Sequence, residues 1–327
     1  MRNDGASCTP SRRRLARKPG ALVVSGMALA LMGADPGPLE GQAVELRWGL
    51  EAGDDHRYRM TQEARTGMGA MGHVTQTQEL TMRMEVLAAD AGGTTDVRIS
   101  YESVRHQQDG PMGSQSYDSD EDERPDQGEL AVLAHLLDQT FELTMDSRGD
   151  VREVRGMDGF VDEMAEIIAQ GAGEPHDPAQ AREVLEGTFG DESMASLMQQ
   201  GIQSLPEDPV EAGDSWTLDM AVPTPFGTVS SEYHYHLEEI ETLDGRRLAR
   251  ISVEGNMEEF RVEAADGPMA QIAAMMEDSE GEMHGHLLFD PDRGLLVESV
   301  MESTLSMDAM GQQVDVETTQ EMELITP

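Results

Sequence analysis

Val229-Ser-Ser-Glu-Tyr-His-Tyr-His-Leu-Glu-Glu-Ile240 alternates at its centre: Tyr233, Tyr235 and Leu237 take one parity, Glu232, His234 and His236 the other. A period of two belongs to a β-strand with one buried and one wet face, and a run of this length predicts a long strand. Residues 74–86 read the same way. Turn chemistry follows each run, Asp90-Ala-Gly-Gly in one case and Asp244-Gly245 in the other. The segments beyond, 95–104 and 247–253, complete two predicted hairpins. Residues 295–307 and 314–325, separated around Gly311, predict a further hairpin at the end of the chain.

Three short blocks occur twice in the same order. Ala52-Gly53-Asp54 returns as Ala212-Gly213-Asp214, and Arg98-Ile99-Ser100-Tyr101-Glu102 as Arg250-Ile251-Ser252-Val253-Glu254. Met145-Asp146-Ser147-Arg148-Gly149 returns, one residue longer, as Phe289-Asp290-Pro291-Asp292-Arg293-Gly294. In the last pair Asp caps a turn and Gly supplies a positive φ. Ordered repetition predicts two related halves, about 44–156 and 210–327. The segment between them, 157–209, has helical spacing instead: Met157, Phe160, Val161, Met164, Ile167 and Ile168 form one apolar stripe, and Met194, Leu197, Met198, Ile202 and Leu205 another. Shorter helices are predicted over 129–138 and 268–276. The expected fold is α+β but β-dominated: a long-stranded, curved, half-barrel-like antiparallel sheet with helices packed on one face.

Long meandering strands, the element Gly213-Asp214-Ser215-Trp216 and the late Phe289-Asp290…Gly294 turn resemble a family of secreted bacterial proteins of unknown function. More loosely the pattern is similar to the lipoprotein-carrier superfamily. That resemblance implies a curved half-barrel closed by helices over an apolar cavity, across most of residues 44–327. It carries no functional residue with it.

The N-terminus predicts export. Arg12, Arg13, Arg14, Arg17 and Lys18 precede an apolar run from Ala21 to Met32, then Gly33, Asp35, Pro36, Gly37 and Pro38, and a small-residue site ending at Ala43. This is the layout of a secretory signal peptide over 1–43, with an apolar run too short to span a bilayer. Those 43 residues hold six of the 23 basic and three of the 64 acidic residues, so the chain from Val44 carries a formal charge of −44. The only cysteine, Cys8, and the only lysine, Lys18, leave with them. The expected product is periplasmic or extracellular, without disulfide, lipid anchor or transmembrane segment, and repels nucleic acid and anionic headgroups.

Two His-x-His pairs, His234/His236 and His284/His286, would offer four imidazoles to Zn²⁺ or Cu²⁺ if their strands were neighbours in register. Asp118, Asp120, Asp122, Asp126 and Glu129 occupy Ca²⁺-loop positions, although Glu123 stands where the tight turn needs glycine. Weak divalent association is the reading there, and no cofactor is expected. Catalytic signatures are absent: there is no Gly-x-Ser-x-Gly, His-Glu-x-x-His, phosphate loop or dinucleotide fingerprint. With aromatics at 4% and 24 methionines, the interior is aliphatic, thioether-rich and deformable. The leading expectation is a non-catalytic extracytoplasmic protein that binds or carries an apolar ligand or lipid in a sheet–helix groove. The expected lining draws on Phe160, Met164, Ile167, Met198, Tyr233, Tyr235, Leu287 and Phe289. The alternative is an acidic envelope or interaction protein with a filled core.

Overall fold

The structure, a computed structural model, describes residues 43–67, 69, 72–111, 113–125, 128–171, 182, 185–186, 190–202, 205–224, 227–243, 245–262, 279–309 and 312–326. The predicted signal peptide, apart from its last residue, and the helix predicted over 268–276 lie outside the described residues.

Strands dominate. The first half of the chain supplies β1 (Asp55–Gly67), β2 (His73–Ala89), β3 (Thr95–Gly110), β4 (Gly113–Asp118), β5 (Thr140–Met145) and β6 (Val151–Arg155). The second supplies β7 (Ser215–Thr224), β8 (Gly227–Leu243), β9 (Arg246–Val262), β10 (Glu280–Asp290), β11 (Leu295–Ala309) and β12 (Gln312–Thr326). They form one sheet in the order β6-β5-β3-β2-β1-β12-β11-β10-β9-β8-β7, with β4 paired to β3 off this path. Every pairing is antiparallel. Each half is therefore a meander, and the halves meet where the first strand pairs with the last.

The alternation read in the sequence is what the strands bury. Tyr233, Tyr235 and Leu237 are buried while His234 and His236 are exposed, and β3 alternates likewise through Val97 and Ile99. Several strands run longer than their apolar pattern. β3 extends from the predicted end at Val104 to Gly110, because its far portion pairs with β2 and β4 through polar residues.

Helical elements bounded within the described residues are α1 (Glu129–His135), followed by a single 3₁₀ turn (Leu136–Asp138), α2 (Met157–Gly171) and α3 (Asp191–Ile202). From α2, Phe160, Val161 and Met164 are buried in the same apolar cluster as Val97, Ile99 and Leu143 of the sheet. From α3, Met194, Ala195, Met198 and Ile202 pack against that cluster. α3 also contacts β6 and β7, the two terminal strands of the open sheet.

The twice-occurring blocks make matching bonds. At both Glu51–Asp54 and Glu211–Asp214, the Asp carboxylate accepts from the Glu amide and the Asp amide donates back to the Glu carbonyl. Both glycines donate to the neighbouring strand, Gly53 to Val86 O and Gly213 to Leu237 O, each at 2.8 Å. Asp146 and Asp290 each cap their turn by accepting backbone N–H groups.

Residues 43–50 form a strap joining these turns. Val44 bridges Val210, Trp48 N–H donates to Ser147 O at 2.7 Å, and the next amide, Gly49 N–H, donates to Gly294 O at 3.0 Å. Leu46 and Leu50 are buried beneath it, and the Trp48 ring meets Phe289 edge-on at 5.9 Å. The approach is too close for any side chain. A Cβ on Gly49 would lie 2.7 Å from Arg293 O, and one on Gly294, whose φ is +64°, would lie 2.0 Å from Gly49 N.

Gly294→Ala is therefore expected to destabilise the protein by about 3 kcal/mol or more, through backbone overlap added to left-handed strain. Gly245→Ala has φ +78° but nothing within 4 Å of its Cβ, and is expected to cost only about 1 kcal/mol. Denaturant unfolding of the two variants checks this; equal losses would show that the strap contact is dispensable.

Candidate functional site

Among the described residues the sheet carries two large apolar cores, one mainly in each half, and a smaller third cluster of Val104, Tyr117 and Ala134 beside α1. The first gathers Val97, Ile99, Leu143 and Met145; the second gathers Tyr235, Leu237, Ile251, Leu287 and Phe289. Trp48 and Met322 pack against both. Beside them, lined by residues of both halves, lies a cavity of about 610 Å³, inside the range that takes a small-molecule ligand.

Methionine makes much of its wall. Five neighbouring strands contribute one each in a row: Met82 from β2, Met60 from β1, Met322 from β12, Met301 from β11 and Met283 from β10. Met60 and Met322 are direct register partners. Met82 stands opposite Tyr58, Met301 opposite Gln320 and Met283 opposite Ser303, so the row runs diagonally across the sheet. Long side chains reach one another across such diagonals. Met84, Met145 and Met198 also line the cavity. Thioethers are apolar, polarisable and torsionally soft, so this wall adapts to an occupant's shape.

Two glycines of β9 and β10 mark close packing beside this wall. A Cβ at Gly255 would lie 2.7 Å from the Tyr233 ring and 3.6 Å from the Met283 methyl. A Cβ at Gly285 would meet the Val300 carbonyl oxygen of β11 first and then the Met301 sulfur, at 2.7 Å. Tyr233 thus lies across Gly255 of β9, where a larger residue would push its ring aside, while Gly285 of β10 lets the β11 backbone approach closely.

The deep wall is uncharged. Tyr58 donates its hydroxyl to Leu296 O at 3.2 Å, and burial pushes this phenol well above the ordinary tyrosine value. Burial raises Tyr101 as well. The buried indole N–H of Trp48 has no acceptor among the described residues.

Of the residues expected to line a groove, Met198 and Tyr233 do so. Phe160 lines a separate cavity of about 80 Å³ with Met157, Met194 and Tyr101. Met164, Tyr235, Leu287 and Phe289 are packed in the cores, with Tyr235 stacked on Trp216 at 5.4 Å. Ile167 lies in α2, and its side chain is outside the described residues. The strand methionines, Trp48 and Tyr58 were not among the expected lining. Their signal is methionine at alternate strand positions, as in Met82 and Met84.

The histidine pairs do not sit on adjacent strands: β9 separates β8 from β10. Glu254 stands in register between His234 and His284, and Ser252 between His236 and His286. His234 pairs with Glu232 at 2.8 Å, His284 with Glu302 at 3.2 Å, and His286 with Glu298 at 3.3 Å. His236 Nδ1 is 3.0 Å from the Ser215 hydroxyl. The juxtaposition that a four-imidazole site requires is therefore not met. Among the described residues no group of three or more His, Cys, Asp or Glu is placed to hold a metal ion. In the acidic run, Asp118 accepts from Arg105 at 2.7 Å and from the Asp120 amide, while its own amide donates to Asp122. The Arg105 hydrogen bond holds the Asp118 carboxyl below the usual carboxylate range. Asp126 and the Glu129 side chain lie outside the described residues, and Asp120 pairs with Arg105 at 3.8 Å.

Near the strap, His56 is buried, 3.8 Å from the Asp54 carboxylate, with neither ring nitrogen hydrogen-bonded. Burial holds its pKa below the ordinary 6.5, opposed by Asp54 and reinforced by Arg293.

A family model described as Family of unknown function (DUF6263) matches residues 92–296. No curated protein sequence matches. Among solved structures, one of lipovitellin, concerned with lipid–protein interactions, aligns at TM-score 0.44 and 11% identity over 84% of this chain, which spans 25% of the lipovitellin chain. The hypothetical lipoprotein YmcC from Escherichia coli aligns at TM-score 0.23 and 12% identity, covering 86% of this chain and 91% of its own. The translocator domain of the autotransporter NalP from Neisseria meningitidis gives TM-score 0.26 and 7% identity, with 84% and 89% covered. No helix among the described residues is long and apolar enough to cross a membrane.

Because the folded His56 binds a proton less readily than the unfolded chain does, protonation favours unfolding. Stability that is complete above about pH 6.5 should be lost as the pH falls below it toward the folded-state pKa. Thermal midpoints from about pH 7 to about pH 5 should fall less steeply in His56→Leu than in the wild type; parallel slopes would refute the assignment.

Proposed function

Since the chain belongs to the Family of unknown function (DUF6263), which brings no activity with it, we propose a function from the cavity alone. The protein is a non-catalytic extracytoplasmic binding or carrier protein for an apolar ligand or lipid. The observation that supports this is the methionine-lined space of about 610 Å³ where β1 pairs with β12. A chain of this size has no need of an unfilled core for its stability, and apolar voids lose dispersion contacts. A cavity kept open between two packed cores is best read as room for a ligand.

In this reading the two halves are related units, each with its own core, and the helices cover the inner face as a partial lid over a half-barrel. Residues 1–43 direct export. No catalytic residue or cofactor is required, and nucleic acid is not a partner.

The two tryptophans give a direct assay. Trp48 lines the cavity and Trp216 does not, so Trp216→Phe leaves one reporter at the site. A brominated alkyl probe should quench Trp48 saturably. The double variant Met60→Gln, Met322→Gln should weaken binding by about tenfold or more, roughly 1.4 kcal/mol, while keeping the wild-type circular dichroism. Unchanged affinity in the folded double variant would show that the cavity is not where the probe binds.

A further inference from the structure

The inner face changes character along the strands. Moving two residues from the methionine row toward the Gly67 end of β1, Met60 gives way to Gln62, Met322 to Gln320 and Met301 to Ser303. Tyr233 likewise gives way to Ser231 on β8, and Thr318 follows Gln320 on β12. All of these line the cavity. Gln62 and Gln320 are direct register partners, and neither carboxamide has a hydrogen-bond partner among the described residues. Among the described lining residues there is no Lys, Arg or His; the only carboxylate is Glu282, on an exposed position of β10.

Resting on the reading of this cavity as a ligand site, we propose that its ligand is an amphiphile with one apolar tail along the methionine row and an uncharged, hydrogen-bonding head group against Gln62 and Gln320. A carboxamide pair offers both donors and acceptors, which matches hydroxyl, ester or amide groups and needs no counter-charge. An anionic head would leave water with no cation to meet it, inside the field of a chain with formal charge −41. A cationic head would find carboxamides where it needs a carboxylate, because Glu282 is set on the opposite parity from Met283. The available space suits one chain with a small head.

The test uses the full protein carrying Trp216→Phe, titrated at about pH 8, where carboxylic acids are ionised. Four probes are compared below their micelle concentrations: monomyristin, myristic acid, myristyltrimethylammonium and the brominated alkyl probe. Monomyristin should bind at least about tenfold more tightly than either ionic probe. Gln62→Leu with Gln320→Leu should abolish that preference while leaving the brominated alkyl probe bound, which also shows that the variant is folded. Equal affinity for myristate or the quaternary amine, or a preference that survives the double substitution, would overturn the head-group assignment alone. Failure of all four probes to bind would overturn the cavity reading as well.

Discussion

Two consecutive peptide groups hold the molecule together at one end. Trp48 N–H reaches the turn after β5, and Gly49 N–H reaches the turn after β10, so neighbouring amides tie one half of the sheet to the other. The tie depends on backbone meeting backbone. Gly49 and Gly294 approach so closely that neither could carry a Cβ, and the Trp48 indole wedges into both cores. Besides the strap, the halves are joined by the β1–β12 ladder, by the Tyr58 hydroxyl on Leu296 O, and by α3, which touches both β6 and β7. With the strap, the closed end is fixed and the opposite end is left free to be polar. The cavity lies between these extremes.

Much of the architecture was legible because it is local. Period two in 229–240 and 74–86, the Asp…Gly turns, and the helical stripes of 157–168 and 194–205 each state their conformation locally, although Leu205 falls past the end of α3 and packs in the second core. The repeated Asp146 and Asp290 turns were also legible as turns, but their capture by residues 43–50 was not: no pattern in Arg47-Trp48-Gly49 announces which carbonyls its amides will meet. Sheet order was hidden for the same reason. The pairing of β1 with β12, and the insertion of β9 between the two histidine strands, are non-local facts that alternation cannot encode.

Parity and bulk do not by themselves pick out the lining. Tyr235, Leu287 and Phe289 are large, apolar and of one parity, and they lie on the inner face packed in the core. Residues that leave space share that parity and differ in kind: flexible methionines, with glycines beside them at Gly255 and Gly285. Parity tells a side chain which face it occupies. Whether that face is filled depends on the opposing elements, here Trp48 and Met198, which sequence spacing does not place.

Pairing the first strand with the last has a consequence for how the chain reaches this state. Tyr58 bonds a carbonyl 238 residues away, and β1 stays an unpaired edge until β12 arrives. An exposed edge is a template for wrong partners, and such long-range closure is slow. The outward residues along the seam moderate that risk. Arg59 and Arg65 of β1 stand opposite Glu323 and Glu317 of β12, so a second β1 edge is repelled and the acidic final strand is drawn in. β12 thus guards the edge that β1 would otherwise expose.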